Sequence, residues 1–200
     1  MFIFISFFFN ESQAQIYDID KKSYPIVKIG GQTWMATDLT VSHFRNGDNI
    51  PLALTLEEFE KFGTEKIPAR MIEFGQTKYN WYAVSDPRGL APTGWHVPAK
   101  TEWDVLISLV GDLNELKGSS GWLENENGEN RFGFNAKPND EAGTCGFWWT
   151  STEIEMTDPE NPKVYAHNIE MYGNAQMDCF VSNPFKEYGF NVRCIKDQTK

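Results

Sequence analysis

Cysteine is scarce in this chain: 200 residues hold three, Cys145, Cys179 and Cys194. An odd number cannot pair completely within one chain, and no CxxC spacing links them. Histidine is as rare. His43, His96 and His167 lie far apart and none belongs to an HExxH run, so a zinc site has no support from spacing. Basic charge is short as well: 18 Lys and Arg face 28 Asp and Glu, a formal net charge of −10. That balance excludes non-specific nucleic-acid binding, which needs clustered cations to neutralise phosphates. It argues equally against an anionic membrane surface. The chain also lacks internal repeats, coiled-coil heptads and the EF-hand spacing of calcium loops.

Aromatic residues are plentiful. Seven Trp, seven Tyr and fifteen Phe are ample for a core. Several Phe belong to Phe2–Phe9, an apolar run far too short to span a bilayer. Ser12-Gln13-Ala14 follows it as a small-x-small pattern, so residues 1–14 read as an export signal cut before Gln15, although no Lys or Arg precedes the run. Residues 15–200 then suit one domain. Such a chain is secreted or held at the cell surface, with no membrane insertion after cleavage.

The most strongly patterned stretch is Gly94–Leu109 (GWHVPAKTEWDVLISL). Gly94 permits the turn that Pro92 and Thr93 begin, and Pro98 precedes a helix over about Ala99–Val110. Its apolar residues at 103, 106, 107 and 110 form one helical stripe. Upstream, Ile26–Ile29 and Gln32–Ala36 flank Gly30-Gly31, a two-residue loop suited to a hairpin. Thr55 with Glu58 is a candidate capping box for a helix Leu56–Phe62 closed by Gly63. Asn80–Val84 is aromatic and β-prone, and Phe132–Asn135 reads as a short strand. Candidate strands in the last quarter are Phe147–Ser151, Val164–Met171, Ala175–Val181 and Tyr188–Lys196. Strands first, helices in the middle and strands last predict an α+β fold with antiparallel pairing.

Five pieces in fixed order carry a family resemblance: Val27–Ala36, Tyr79–Val84, Gly94–Pro98 with Glu102-Trp103, Trp149–Glu153, and Tyr188–Cys194. Together they resemble the Fibrobacter succinogenes major paralogous domain over about residues 18–197. The resemblance implies export from a Bacteroidetes or Fibrobacter-like bacterium, periplasmic or outer-membrane-associated. It also implies a C-type lectin-like fold, with small twisted antiparallel sheets flanked by two main helices and long loops. It carries over no catalytic residue and no cofactor. The family usually places Ser or Thr after the anchor proline; here Ala99 stands there, leaving Thr101 and Asp104 as a later cap.

Several residues bear on function. Trp148 and Trp149 are adjacent in a predicted strand and leave opposite faces. Trp149 sits in the family motif and is the core candidate, which makes Trp148 a candidate ligand platform, with Trp122 as a second. An exposed indole binds a sugar ring or a peptide side chain at low entropic loss. Thr150, Thr152, Asn168 and Arg193 are candidate polar contacts. Glu124–Asn130 and Asp158–Asn161 offer calcium-type oxygens, but the Glu-Pro-Asn and Trp-Asn-Asp patterns of lectin calcium sites are absent, so no metal is assigned. His96 is expected to bond its ring to backbone beneath the helix. Cys194 shares a face with Phe190 and Val192 and reads as core. A Cys179–Cys194 bridge would join neighbouring strands, and Cys145–Cys194 is the rival. Three readings of function follow. The first is a non-catalytic binding or adhesion module for glycans or extracellular proteins. The second is an enzyme similar to formylglycine-generating oxidases, which need a reactive cysteine pair. The third is a structural surface component without a small ligand.

Overall fold

The computed structural model describes residues 14–123, 125–155, 165–173 and 184–198. Residues 1–13 of the expected leader, the candidate strand Ala175–Val181, the loop Asp158–Asn161 and Cys179 lie outside these residues. Within them the fold is mixed α+β, with a curled antiparallel sheet and three α-helices.

The chain begins with β1 (Gln15–Tyr17), β2 (Ser23–Ile29) and β3 (Gln32–Met35). The hairpin forms where the Gly30-Gly31 loop predicts it: Ile26 opposes Met35, Ile29 opposes Gln32, and Gly30 takes φ +58°. A short strand, β4 (Leu52–Ala53), leads to α1 (Leu56–Thr64). Thr55 caps α1 by accepting from the Glu58 amide at 3.1 Å, while the Glu58 carboxylate accepts from the Leu54 amide at 2.8 Å. Gly63 does not close this helix but lies within it. A Cβ there would stand 2.4 Å from that of Glu187, so its bare backbone lets the segment before Tyr188 pack against the helix.

Next come β5 (Arg70–Glu73) and β6 (Gln76–Tyr79), an antiparallel pair to which β4 adds in parallel through two residues. That two-residue pairing departs from the all-antiparallel expectation. Residues 80–84 depart from it too, because Trp81–Val84 form a single helical turn, α2. The buried Asn80 overrides their β propensity: its side-chain oxygen accepts from the Ala83 and Ala69 amides at 3.1 and 3.0 Å. β7 (Trp95–His96) then precedes α3 (Lys100–Val110).

Ala99 is the N-cap residue of α3 and has no capping oxygen, and Thr101 and Asp104 do not replace it. The Glu102 carboxylate accepts from the Ala99 amide at 2.8 Å, and the Thr152 hydroxyl accepts from the Lys100 amide at 2.9 Å. The first helical turn is therefore capped partly by a distant strand. That strand is β8 (Cys145–Ile154), which pairs antiparallel with β9 (Tyr165–Tyr172). Phe132–Asn135 is turn rather than strand, with Asn135 at φ +55°.

β10 (Ile195–Lys196) joins β3 on one side and β7 on the other, giving the sheet order β1-β2-β3-β10-β7. The expected strand Tyr188–Lys196 thus shrinks to its last two residues. Upstream its backbone serves several partners in turn: Phe190 exchanges bonds with Tyr79, Val192 accepts from Leu39 at 2.7 Å, and Cys194 accepts from Met35 at 3.0 Å.

Three apolar clusters form the core, a small one of Ala53, Phe59, Ala69 and Met71 and two large ones. One contains Tyr24, Met35, Phe44, Tyr79, Trp81, Trp95, Trp149, Phe190, Val192 and Cys194. The other contains Ile29, Trp34, Trp103, Leu106, Trp122, Phe134, Trp148 and Ile195. The α3 stripe is as predicted. Trp103 and Leu106 are fully buried and Ile107 and Val110 pack partly, with the Trp103 ring 4.7 Å from Trp34 and 5.7 Å from Phe134.

Candidate functional site

Neither expected indole platform is exposed. Trp148 is completely buried and Trp122 is 4% exposed. The reasoning that Trp148 and Trp149 leave opposite faces holds, but both faces of β8 are covered: Trp149 enters the first cluster and Trp148 the second. Both proposed platforms also bond inward, Trp148 Nε1 to Asp38 at 2.8 Å and Trp122 Nε1 to the Ala136 carbonyl at 3.0 Å.

The candidate polar contacts are structural too. Arg193 is 1% exposed and its Nε donates to Asp38 at 2.8 Å, with its guanidinium over the Phe134 ring. Asp38, which sequence reasoning missed, accepts from Trp148, Arg193 and Asn191 at once. Its only sequence signal is a lone carboxylate directly after the hairpin strand, next to the buried Leu39. Thr150 is buried and donates to the His167 carbonyl at 2.8 Å. Thr152 caps α3, and Asn168 donates to Glu170 at 2.9 Å. These four side chains do not converge on a common surface.

Histidine and cysteine take defined places. His96 does not bond to backbone. Its ring bridges two carboxylates, Asp197 at 2.6 Å and Glu102 at 2.9 Å. Burial lowers its pKa, but the two hydrogen-bonded carboxylates outweigh burial and raise it above the ordinary value. His43 and Ser42 both engage Asp20, at 2.5 and 2.6 Å. Burial raises the Asp20 carboxyl pKa, yet these hydrogen bonds bring it down to about 2. The Ser42 hydroxyl donates to the carboxylate, which is not the arrangement of a base-activated nucleophile. Cys194 is a free, fully buried thiol, so the Cys179–Cys194 and Cys145–Cys194 pairings are both overturned. Its face is the predicted core face beside Phe190 and Val192. Burial pushes the thiol pKa far up, which disfavours the reactive thiolate that the oxidase reading needs.

Two surface features stand out among the described residues. The larger is a polar cleft of about 630 Å³ between the turn at 112–115, the loop at 125–129 and the end of β9. Asp112 starts the turn by accepting from the Asn114 amide at 2.9 Å. Lys117, 2% exposed, donates its ammonium to the carbonyls of Tyr172 and Gly173, both at 3.1 Å, and lies 4.6 Å from the Trp122 ring centre. Burial lowers its pKa, opposed by the charges of Glu126 and Asp112. Gly128 seats the loop on this support. A Cβ there would come within 2.4 Å of the Asn114 carbonyl oxygen and 2.5 Å of the Lys117 Cβ. Asn127 accepts from the Trp122 amide at 3.1 Å, so Trp122 underlies the cleft as scaffold. Glu126, Glu129, Glu170 and Tyr172 face the space, and the Tyr172 hydroxyl donates to Glu170. Burial, then this hydrogen bond, raises the phenol pKa.

The second feature is a groove of about 400 Å³ between α1 and residues 187–190. Its floor is Phe59, Met71 and Phe190; Leu56 and Tyr188, 58% and 40% exposed, stand at its edge. The rings continue inward and outward from there: Tyr188 lies 5.7 Å from Phe185 and 6.2 Å from Phe190, which lies 4.5 Å from Trp149. Glu60, Thr64, Glu73, Glu187 and Gly189 complete the lining. Among the described residues, no three His, Cys, Asp or Glu side chains form a group that could hold a metal ion, and no helix is long and apolar enough to cross a membrane.

The family described as the Fibrobacter succinogenes major domain matches residues 27–196. No curated protein and no solved structure matches the chain.

Proposed function

We propose that this chain, which belongs to the Fibrobacter succinogenes major domain family, is a secreted, non-catalytic binding module of the cell surface with a C-type lectin-like fold. Glycans are the ligand class, and the polar cleft is the site that takes them. One observation supports this reading above others. The cleft is lined by carboxylates, amides and a tyrosine, and its support is fixed by bonds to backbone. Carboxylates and amides accept from and donate to sugar hydroxyls in pairs, and a preformed site loses little freedom on binding.

A glycan array probed with and without calcium tests this. The expected result is binding to a limited set of glycans that falls at least about tenfold, some 1.4 kcal/mol, in Glu126→Ala or Glu129→Ala protein. A blank array under both conditions would overturn the glycan reading in favour of a purely structural surface component. Export is tested separately, by N-terminal sequencing of protein recovered from outside the cytoplasm, which should begin near Gln15.

A further inference from the structure

We propose that the groove between α1 and residues 187–190 docks a lysine or arginine side chain presented by a partner protein. The argument begins with what the chain does with its own cations. Lys78 pairs with Glu73 and lies 5.3 Å from the Phe74 ring centre. Lys186 pairs with Glu153 and lies 4.4 Å from the Trp81 ring centre. Arg88 bonds Asp86 at 2.8 Å and lies 4.1 Å from the Phe44 ring centre. In each case an aromatic face and a carboxylate share one cation, an arrangement in which ring quadrupole and charge act together.

The groove offers the same two components. Phe59, Phe190 and Tyr188 supply rings, and Glu60 and Glu187 supply carboxylates at the rim. Among the described residues, neither Glu60 nor Glu187 has a Lys, Arg or His partner within ion-pair distance. Glu73, the third carboxylate, already holds Lys78. A free cation would satisfy the rim charges but leave the apolar floor unused. A methylene stem ending in a cation covers both, as long basic side chains do on protein surfaces.

The surroundings point to a protein as the carrier. Leu56, 58% exposed, lines the groove, and Phe74, 49% exposed, directly follows the lining residue Glu73. They offer apolar contact to residues on either side of the inserted side chain, the usual anatomy of an anchor within a protein interface. The net charge of −10 steers a cationic partner towards the molecule. The residues are separate from those of the polar cleft, so the inference does not rest on glycan binding.

The test uses four acetylated and amidated pentapeptides, Gly-Leu-X-Leu-Gly, where X is arginine, lysine, citrulline or acetyl-lysine. Each is titrated into full-length mature protein and followed by backbone amide shifts. The arginine and lysine peptides should shift Gly189 and Phe190 and saturate, with the neutral twins at least about tenfold weaker. The Glu60→Gln/Glu187→Gln double variant should lose a similar factor and keep its melting temperature. Equal binding of charged and neutral peptides would overturn the proposal. So would shifts confined to residues 112–129, binding unchanged in the double variant, or no binding at all. The charged-to-neutral comparison on unaltered protein decides the matter even if the double variant folds poorly.

Discussion

The polar cleft and the aromatic groove are shaped by different forces. The cleft stands on hydrogen bonds: Lys117 to two carbonyls, Asn127 to the Trp122 amide, and Gly128 seated where no side chain fits. The groove stands on packed rings, from Trp149 through Phe190 to Tyr188. A surface built on directional bonds is sensitive to small displacements, because a buried donor or acceptor left unpaired is expensive. A surface built on ring packing tolerates loss at its exposed end, where little area is buried.

The largest break in this comparison is Trp103→Ala. Trp103 belongs to the cluster beneath the cleft and to neither of the two that supply the groove floor. Truncation should destabilise the protein by about 3–5 kcal/mol in urea titration, and amides of residues 112–129 should lose hydrogen-exchange protection before those of 187–190. An unchanged melting temperature would mean that the stripe of α3 faces elsewhere. Gly128→Ala comes next. Its Cβ would meet backbone atoms that cannot turn away, so overpacking of about 1–3 kcal/mol is expected. Cleft binding should disappear while peptide binding in the groove persists.

The smallest effect sharpens the comparison by touching neither surface. His96 joins the start of α3 to Asp197 beyond the last strand. Its pKa is raised in the folded state above the ordinary 6.5. The stabilisation is therefore complete below that ordinary value and fades as pH rises through the folded one. With the ring part-exposed, solvent screening holds the contribution to at most about 1 kcal/mol. Wild type should exceed His96→Gln in stability on the acidic side of this window and match it above. A difference that grew with rising pH would contradict the assigned carboxylate contacts.

What could be read from the sequence was local. The hairpin announced itself through the Gly30-Gly31 loop, α1 through Thr55 and Glu58, and α3 through its stripe, because caps and periodicities involve neighbours a few residues apart. The core face of Cys194 followed from simple alternation with Phe190 and Val192. The failures involve distant partners. Alternation correctly separated Trp148 from Trp149 but could not show that Trp34, Phe134 and Trp103 close over the second face. Arg193 looked like a surface contact because nothing near it in sequence reveals Asp38. Residues 80–84 have strand-like side chains, yet Asn80 ties them to Ala69 and turns them into a helix. The cleft was visible only as a polar loop, since Lys117 and the end of β9 are more than fifty residues apart.

The two adjacent tryptophans of β8 have a consequence for how the molecule comes apart. Trp148 and Trp149 make that strand a wall shared by both cores. Sliding it by one residue would turn each indole to the face opposite the one it now fills, so the strand's alignment is locked from both sides. Detaching it would open both cores together. Heating should then give a single main transition in which the calorimetric and van't Hoff enthalpies agree.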